Sequence, residues 1–156
     1  MTTASHPWKQ LLLRQADALQ HLLEPHRWGE ASAVKLEETV VLGCYAIQRL
    51  INGFLLSDAV VRRPIAMTAF PLRRKQGPLL GDEPIETLYD LAGGHAVAHD
   101  LVFLCHQVVH NCIFVPHLDA NRCLTGIRAT SDHQRRLALY AIDIATLQTL
   151  FRQLGA

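Results

Sequence analysis

The fold is decided by residues 94–114, which read GHAVAHDLVFLCHQVVHNCIF. Histidines occur here at steps of four, seven and four: His95, His99, His106 and His110. Because an α-helix turns about 100° per residue, these four imidazoles would fall within an arc of roughly 60°. The apolar residues centre on a different arc: Val97, Leu101, Leu104, Cys105, Val108 and Cys112. The spacing therefore predicts one helix over 94–114, with an apolar face toward the core and a histidine column away from it.

Two long helices are predicted before this stretch. Apolar residues repeat at helical spacing over residues 5–24, and Pro25 ends that pattern. A second helix, capped by Ser32, keeps the same period for about five turns and decays at Ser57. We expect the two helices and the histidine helix to pack as an antiparallel bundle.

The chain between the second helix and the histidine helix is harder to interpret. Residues 58–83 hold several prolines and glycines, which exclude a long helix, and residues 64–70 alternate weakly as an extended segment does. Residues 84–92 have an early proline and one apolar side, which predicts a short helix.

A period of two replaces the helical period after Pro116. Residues 124–129 and 136–141 are strand-like and are separated by turn residues, so they predict an antiparallel β-hairpin. Asp143 then caps a last helix. The predicted fold is a single domain over residues 1–156, mainly α: an antiparallel up-and-down helical bundle (about 5–114), with a small C-terminal β-hairpin and a terminal helix (about 122–155).

Composition narrows the class of protein. The net charge is +1, so overall electrostatics does not by itself indicate a nucleic-acid partner, and no apolar stretch is long enough for a membrane span. The start has no basic region followed by an apolar run, and the four cysteines contain no CxxC pair, which favours reduced thiols in the cytoplasm. With only 19% charged residues, we expect a homodimer that buries apolar surface through the long helices.

The histidines also suggest a metal site. His95 with His99, and His106 with His110, are i, i+4 pairs that share a helix face. The two pairs would lie about 16 Å apart along a helix, so four histidines on one ion are excluded and each pair needs further ligands. No HExxH motif is present, and surface histidines without chemistry remain the alternative. No cofactor is predicted.

A family resemblance adds a second interpretation. Residues 30–114 resemble the HEPN (higher eukaryotes and prokaryotes nucleotide-binding) family, because they read as two long antiparallel helices with a connecting excursion and carry a motif near the end of the second, CHQVVHN at residues 105–111. That resemblance implies a helical bundle that usually dimerises, and many members are metal-independent ribonucleases with an Arg-x(4–6)-His motif. His110 matches the motif histidine, and His106 matches the polar position after the arginine. Cys105 stands where the family has its arginine.

The chemistry of such a site assigns the candidate residues. His110 and His106 are the candidate catalytic groups, since imidazole serves as a base near neutral pH. A ribonuclease also needs a cation for the phosphate, and Arg49 of the facing helix is one candidate. Gln107 and Asn111 complete the candidate substrate contacts.

Three functions follow. The resemblance implies an RNA-associated protein of a defence or toxin-type system, whose ribonuclease activity is degenerate or absent because the motif arginine is missing. The neutral charge favours instead a non-enzymatic, dimeric helical interaction module. The histidine column favours a metal-binding protein.

Overall fold

The structure is a computed structural model that describes residues 6–73 and 84–156. In the described residues the chain has an α+β fold, in which six helices pack with a five-stranded antiparallel sheet. The elements follow in the order α1 (His6–Leu23), α2 (Glu30–Asn52), α3 (Asp58–Val61), β1 (Ile65–Pro71), α4 (Ile85–Leu88), β2 (His95–His99), α5 (Leu101–Val109), β3 (Asn111–Leu118), β4 (Leu124–Ser131), β5 (Ala138–Asp143) and α6 (Ile144–Gly155).

The predicted mainly α bundle is wrong, because residues 94–114 do not form one helix. They form β2, the nine-residue α5 and the start of β3. The Asp100 side chain interrupts the helical pattern, since its Oδ1 accepts the Phe103 N–H at 2.9 Å and so starts α5 at Leu101. On either side of α5, strands β1 and β4 supply hydrogen-bond partners for β2 and β3.

The sheet has the strand order β2-β1-β5-β4-β3, and every neighbouring pair is antiparallel. The predicted hairpin forms as β4 and β5, with Ile127 opposite Ile142, but it lies inside a larger sheet. The segment 64–70, predicted to be extended, corresponds to strand β1. The lone proline of β3, Pro116, lies on an edge strand, where proline is tolerated.

One face of the sheet carries α5 and α6, and these contact α2 and α1. The two long helices form as predicted, with α2 beginning at Glu30 rather than after Ser32. Ser32 contributes from the first turn, where its Oγ accepts the Gly29 N–H at 3.4 Å. The shared core on this side includes the fully buried side chains Leu12, Leu36, Ile47, Leu104, Ile127, Leu147 and Phe151.

The opposite face of the sheet is covered in part by the segment around α4, where a short helix was predicted. Leu88 and Tyr89 of this segment pack on Phe70 of β1 and Leu139 of β5. The rest of the predicted irregular region, residues 74–83, lies outside the described residues. Within residues 6–73 and 84–156, we call the part of this face beyond α4, around Arg128 of β4 and His117 of β3, the open face.

Two further observations bear on the predicted class of protein. No helix in residues 6–73 and 84–156 is both long enough and apolar enough to cross a membrane. All four cysteines are free; Cys44 and Cys105 are buried, whereas Cys112, expected on the core side of the histidine helix, is exposed on β3.

Candidate functional site

Three histidines meet at one end of the sheet. His106 lies in the last turn of α5 and His110 is its C-cap, and their ring centroids are 4.9 Å apart. His133, from the turn between β4 and β5, brings its ring centroid to 5.5 Å from that of His106. We call His106, His110 and His133 the histidine cluster.

The turn that carries His133 is fixed to α5 by a buried glutamine. Gln107, only 2% exposed, accepts the Ser131 N–H on its Oε1 at 2.9 Å. The Ser131 carbonyl in turn accepts the Arg135 N–H at 2.8 Å, and the Arg135 carbonyl accepts the Tyr89 hydroxyl at 2.7 Å. The buried Gln107–Ser131 hydrogen bond therefore helps to fix the turn that carries His133 relative to α5.

The electrostatic environment lowers the pKa of His106. Partial burial disfavours its charged form, and the charges of His110 and His133 act in the same direction. His106 is therefore neutral at neutral pH and able to accept a proton. A neutral imidazole beside two further imidazoles gives the groups that general acid–base chemistry requires.

Cations follow His133 on the same turn. Arg135 and Arg136 are the second and third residues after it, and Arg136 is exposed. The Arg135 Nε lies 3.9 Å from the Asp132 Oδ1, a weak pair at a partly exposed position. The turn that carries His133 therefore also carries two arginines.

The predicted four-histidine column is wrong, because its first two members lie on β2. His95 is exposed and pairs with Ala69. His99 stacks on Phe103, with ring centroids 3.6 Å apart, and burial lowers its pKa. Residues i and i+4 of a strand are about 13 Å apart, so His95 and His99 do not chelate one ion.

The three residues predicted to contact the substrate, Asn111, Gln107 and Arg49, lie in different environments. The Asn111 Nδ2 donates to the Val108 carbonyl at 2.8 Å, which closes the end of α5. Gln107 is buried and holds Ser131, so it positions the cluster and does not face a ligand. The Arg49 guanidinium lies over the Trp8 ring, 5.1 Å from its centroid, on the α1 side of α2.

The structure does not assemble a metal centre from the residues that it describes. Among residues 6–73 and 84–156, no three His, Cys, Asp or Glu side chains converge in a metal-binding arrangement. In the histidine cluster, the ring centroid of His106 lies 4.9 Å from that of His110 and 5.5 Å from that of His133.

Sequence reasoning missed His133. It lies in the predicted turn 130–135, where a polar residue is unremarkable, and nothing in the spacing relates it to His106. The signal was indirect: a lone polar residue, Gln107, on the apolar side of α5 needs a buried partner, and that partner is the backbone next to the turn.

Comparisons of the chain with protein-family models, with curated proteins and with solved structures find no match. The resemblance to the HEPN family stays a prediction from residues 105–111.

Proposed function

We propose that this chain is an RNA-associated protein and that the histidine cluster contacts the phosphodiester backbone. The observation that supports the proposal best is the approach of His133, from a separate element of the fold, to His106, which also neighbours His110. Imidazoles beside a turn that also carries two arginines suit a negatively charged, flexible ligand.

The cluster has the groups for cleavage without a metal. Neutral His106 takes the proton of a ribose 2′-hydroxyl, whose oxygen attacks the adjacent phosphorus. The bond from phosphorus to the 5′-oxygen breaks, and that oxygen receives a proton from the imidazole of His110 or His133. The products are a 2′,3′-cyclic phosphate and a free 5′-hydroxyl, and Arg136 supplies charge for the phosphate.

Labelled single-stranded RNA, incubated with the pure protein with and without EDTA, tests this proposal. We expect cleavage that EDTA leaves unchanged and that His106→Ala and His110→Ala each reduce by about 10²-fold or more, which is typical for loss of an acid or base. His21→Ala is the matched control, since His21 is exposed in the last turn of α1 and pairs with Glu24.

The assay separates binding from catalysis. Binding without cleavage would reduce the proposal to an RNA-binding role, and a wild type that neither binds nor cuts RNA at low salt would reject it. Cleavage that EDTA abolishes would contradict the metal-free chemistry.

A homodimer is a second proposal, supported by an apolar stripe on α2. Val34, Leu42 and Tyr45 keep 60%, 37% and 41% of their surfaces exposed along one side of this helix. Sedimentation velocity tests it: we expect a dimer that Val34→Glu with Leu42→Glu dissociates. A monomeric wild type at high micromolar concentration would reject the proposal.

A further inference from the structure

The open face of the sheet holds a second group of cationic and polar side chains, away from the histidine cluster. Arg128 of β4 lies opposite Val115 of β3, and His117 lies two residues further along β3. Thr125 contacts His117 through its Oγ1, which lies 3.1 Å from the ring Nδ1. These three side chains share the face on which Phe70 also lies, and α5 packs on the other face.

Arg128 is the unusual member of this group. Its guanidinium lies over the Phe70 ring, 5.1 Å from the centroid, and its Nε is buried with no hydrogen-bond partner in the described residues. No Asp or Glu of the described residues forms an ion pair with it. Glu86 of α4 acts on Arg128 only as a more distant charge.

A half-buried guanidinium without a close anion is energetically unfavourable. Arginine keeps its charge in proteins, so burial cannot be relieved by loss of a proton. A buried donor left without an acceptor costs about 1–3 kcal/mol. An oxyanion at the partly exposed Arg128 side chain would compensate its charge, and a shift of that side chain on binding would let the anion also accept the buried Nε–H.

His117 is arranged to help such an anion. The Thr125 hydroxyl donates its proton to the His117 carbonyl at 3.0 Å. The Thr125 oxygen is then free to accept a hydrogen bond from the His117 Nδ1–H. In the neutral His117 ring the proton therefore lies on Nδ1, and Nε2 carries none. Protonation of the ring adds an N–H donor at Nε2. Burial and the charge of Arg128 lower the pKa of His117, while Asp143 and Asp119 act in the opposite direction.

We propose that Arg128, His117 and Thr125 form a binding site for a tetrahedral oxyanion of the phosphate type on the open face of the sheet. The site is separate from the histidine cluster and does not depend on the proposed ribonuclease chemistry. Two sources have this chemistry: the phosphodiester of RNA and a free phosphorylated small molecule.

The Nε–H signal of Arg128 in a ¹⁵N-correlated NMR spectrum of the full chain reports directly on this site, and loss of the signal in Arg128→Lys assigns it. Inorganic sulfate is the first probe because it does not titrate between pH 6 and pH 8. We expect a saturable shift of the Arg128 signal in the wild type. The backbone amide signals of β3 and β4, which remain in every variant, should report a sulfate affinity reduced about tenfold or more in Arg128→Lys and less in His117→Asn. Arg152, already hydrogen-bonded to Asp17 at 3.3 Å, is the control arginine.

Bound sulfate stabilises the charged form of His117, so we expect its affinity to rise as the pH falls from 8 to 6, and His117→Asn to remove that dependence. A five-nucleotide RNA that moves the Arg128 signal at lower concentration than sulfate identifies a nucleic-acid backbone as the source. A response to sulfate alone identifies a small ligand.

Three results would overturn the site. The first is an Arg128 signal that sulfate does not move, and the second is a shift without saturation, like that of the Arg152 signal. The third is a shift of the Arg128 signal in Asp82→Asn with Glu83→Gln without any added anion. The last result would reveal an internal partner among residues outside the described ranges. Because the first two are measured on the wild type, a variant that fails to fold does not hide the answer.

Discussion

The α2 helix and residues 94–114 have the same kind of apolar pattern and fold differently. Both repeat apolar residues at helical spacing, yet α2 runs unbroken over 23 residues, whereas the second segment divides into strand, helix and strand. The difference comes from Asp100, which caps a helix in mid-segment, and from the partner strands β1 and β4. A hydrophobic period thus indicates which side is buried, but not where an element begins.

The two regions also differ in what stabilises them. The α2 region packs through interlocking apolar side chains against α1 and α6, and the second region depends on a few specific polar contacts around α5. Substitutions in the two regions should therefore lower the stability of the protein for different reasons and by different amounts.

The largest effect is expected at Gly43 of α2, which faces the Phe151 ring of α6. A side chain at Gly43 would overlap the buried ring of Phe151, so Gly43→Ser should lower the free energy of unfolding by about 3 kcal/mol. Urea unfolding measures it. Gly29→Ser adds the same group in open space at the start of α2 and should change stability by less than about 0.5 kcal/mol. Equal losses in both variants would disprove the close contact.

Gln107→Met removes the buried contact between α5 and the turn that carries His133. The Ser131 N–H then loses its acceptor, and we expect a loss of about 2 kcal/mol in the free energy of unfolding. Faster hydrogen exchange at the Ser131 amide would locate the effect. Gln20→Met is the control, because Gln20 makes an exposed bond, and it should change stability by less than about 0.5 kcal/mol. Unchanged exchange at Ser131 would contradict the assignment.

Asp100→Ala removes the N-cap of α5 and should cost about 1 kcal/mol. Asp143→Ala is a matched control, since Asp143 stands at the same position of α6 without a side-chain cap bond. We expect thermal unfolding to show a clearly larger loss for Asp100→Ala. The reverse order would show that Asp100 does not set the boundary between β2 and α5.

Lowering the pH should reduce the stability of the protein through histidines of β2, α5 and β3. Burial lowers the pKa of His99, His106 and His117, all of which lie between β2 and β3. A histidine whose pKa is lower in the folded state stabilises the protein when neutral, and this contribution is lost as the pH falls below the unfolded value of about 6.5. Urea unfolding at pH 8, 6 and 5 should show declining stability, with a shallower decline in His99→Gln. An identical decline in His99→Gln would remove His99 from this account.

The sequence predicted α1, α2, β1, the β4–β5 pair and α6, because the information for each is local. Pro25 ends a helical pattern, and residues 136–141 alternate near a turn. It did not predict β2 or β3, because residues such as His95 and Asn111 become strand only when β1 and β4 lie beside them. Ala96 and Ala98, which favour helix on their own, pair as strand residues in β2.

The candidate site was predicted only in part, because some of its residues are neighbours along the chain and others meet only through the fold. His106 and His110 are one helical turn apart, and that spacing survives at the end of α5. His133 is 23 residues away from His110 in the chain, and only the sheet register brings it near. Arg49, chosen because α2 was expected to face the histidines, instead packs on Trp8.

The most direct test of the account is the RNA affinity of His133→Ala, because this histidine belongs to the cluster through the fold and not through the motif. Fluorescence anisotropy with a short single-stranded RNA at low salt should show binding weakened about fivefold or more, from loss of one charged or polar phosphate contact. His21→Ala should bind as the wild type does. Wild-type affinity in His133→Ala, with weakened binding in His110→Ala, would show that the three histidines do not act as one site.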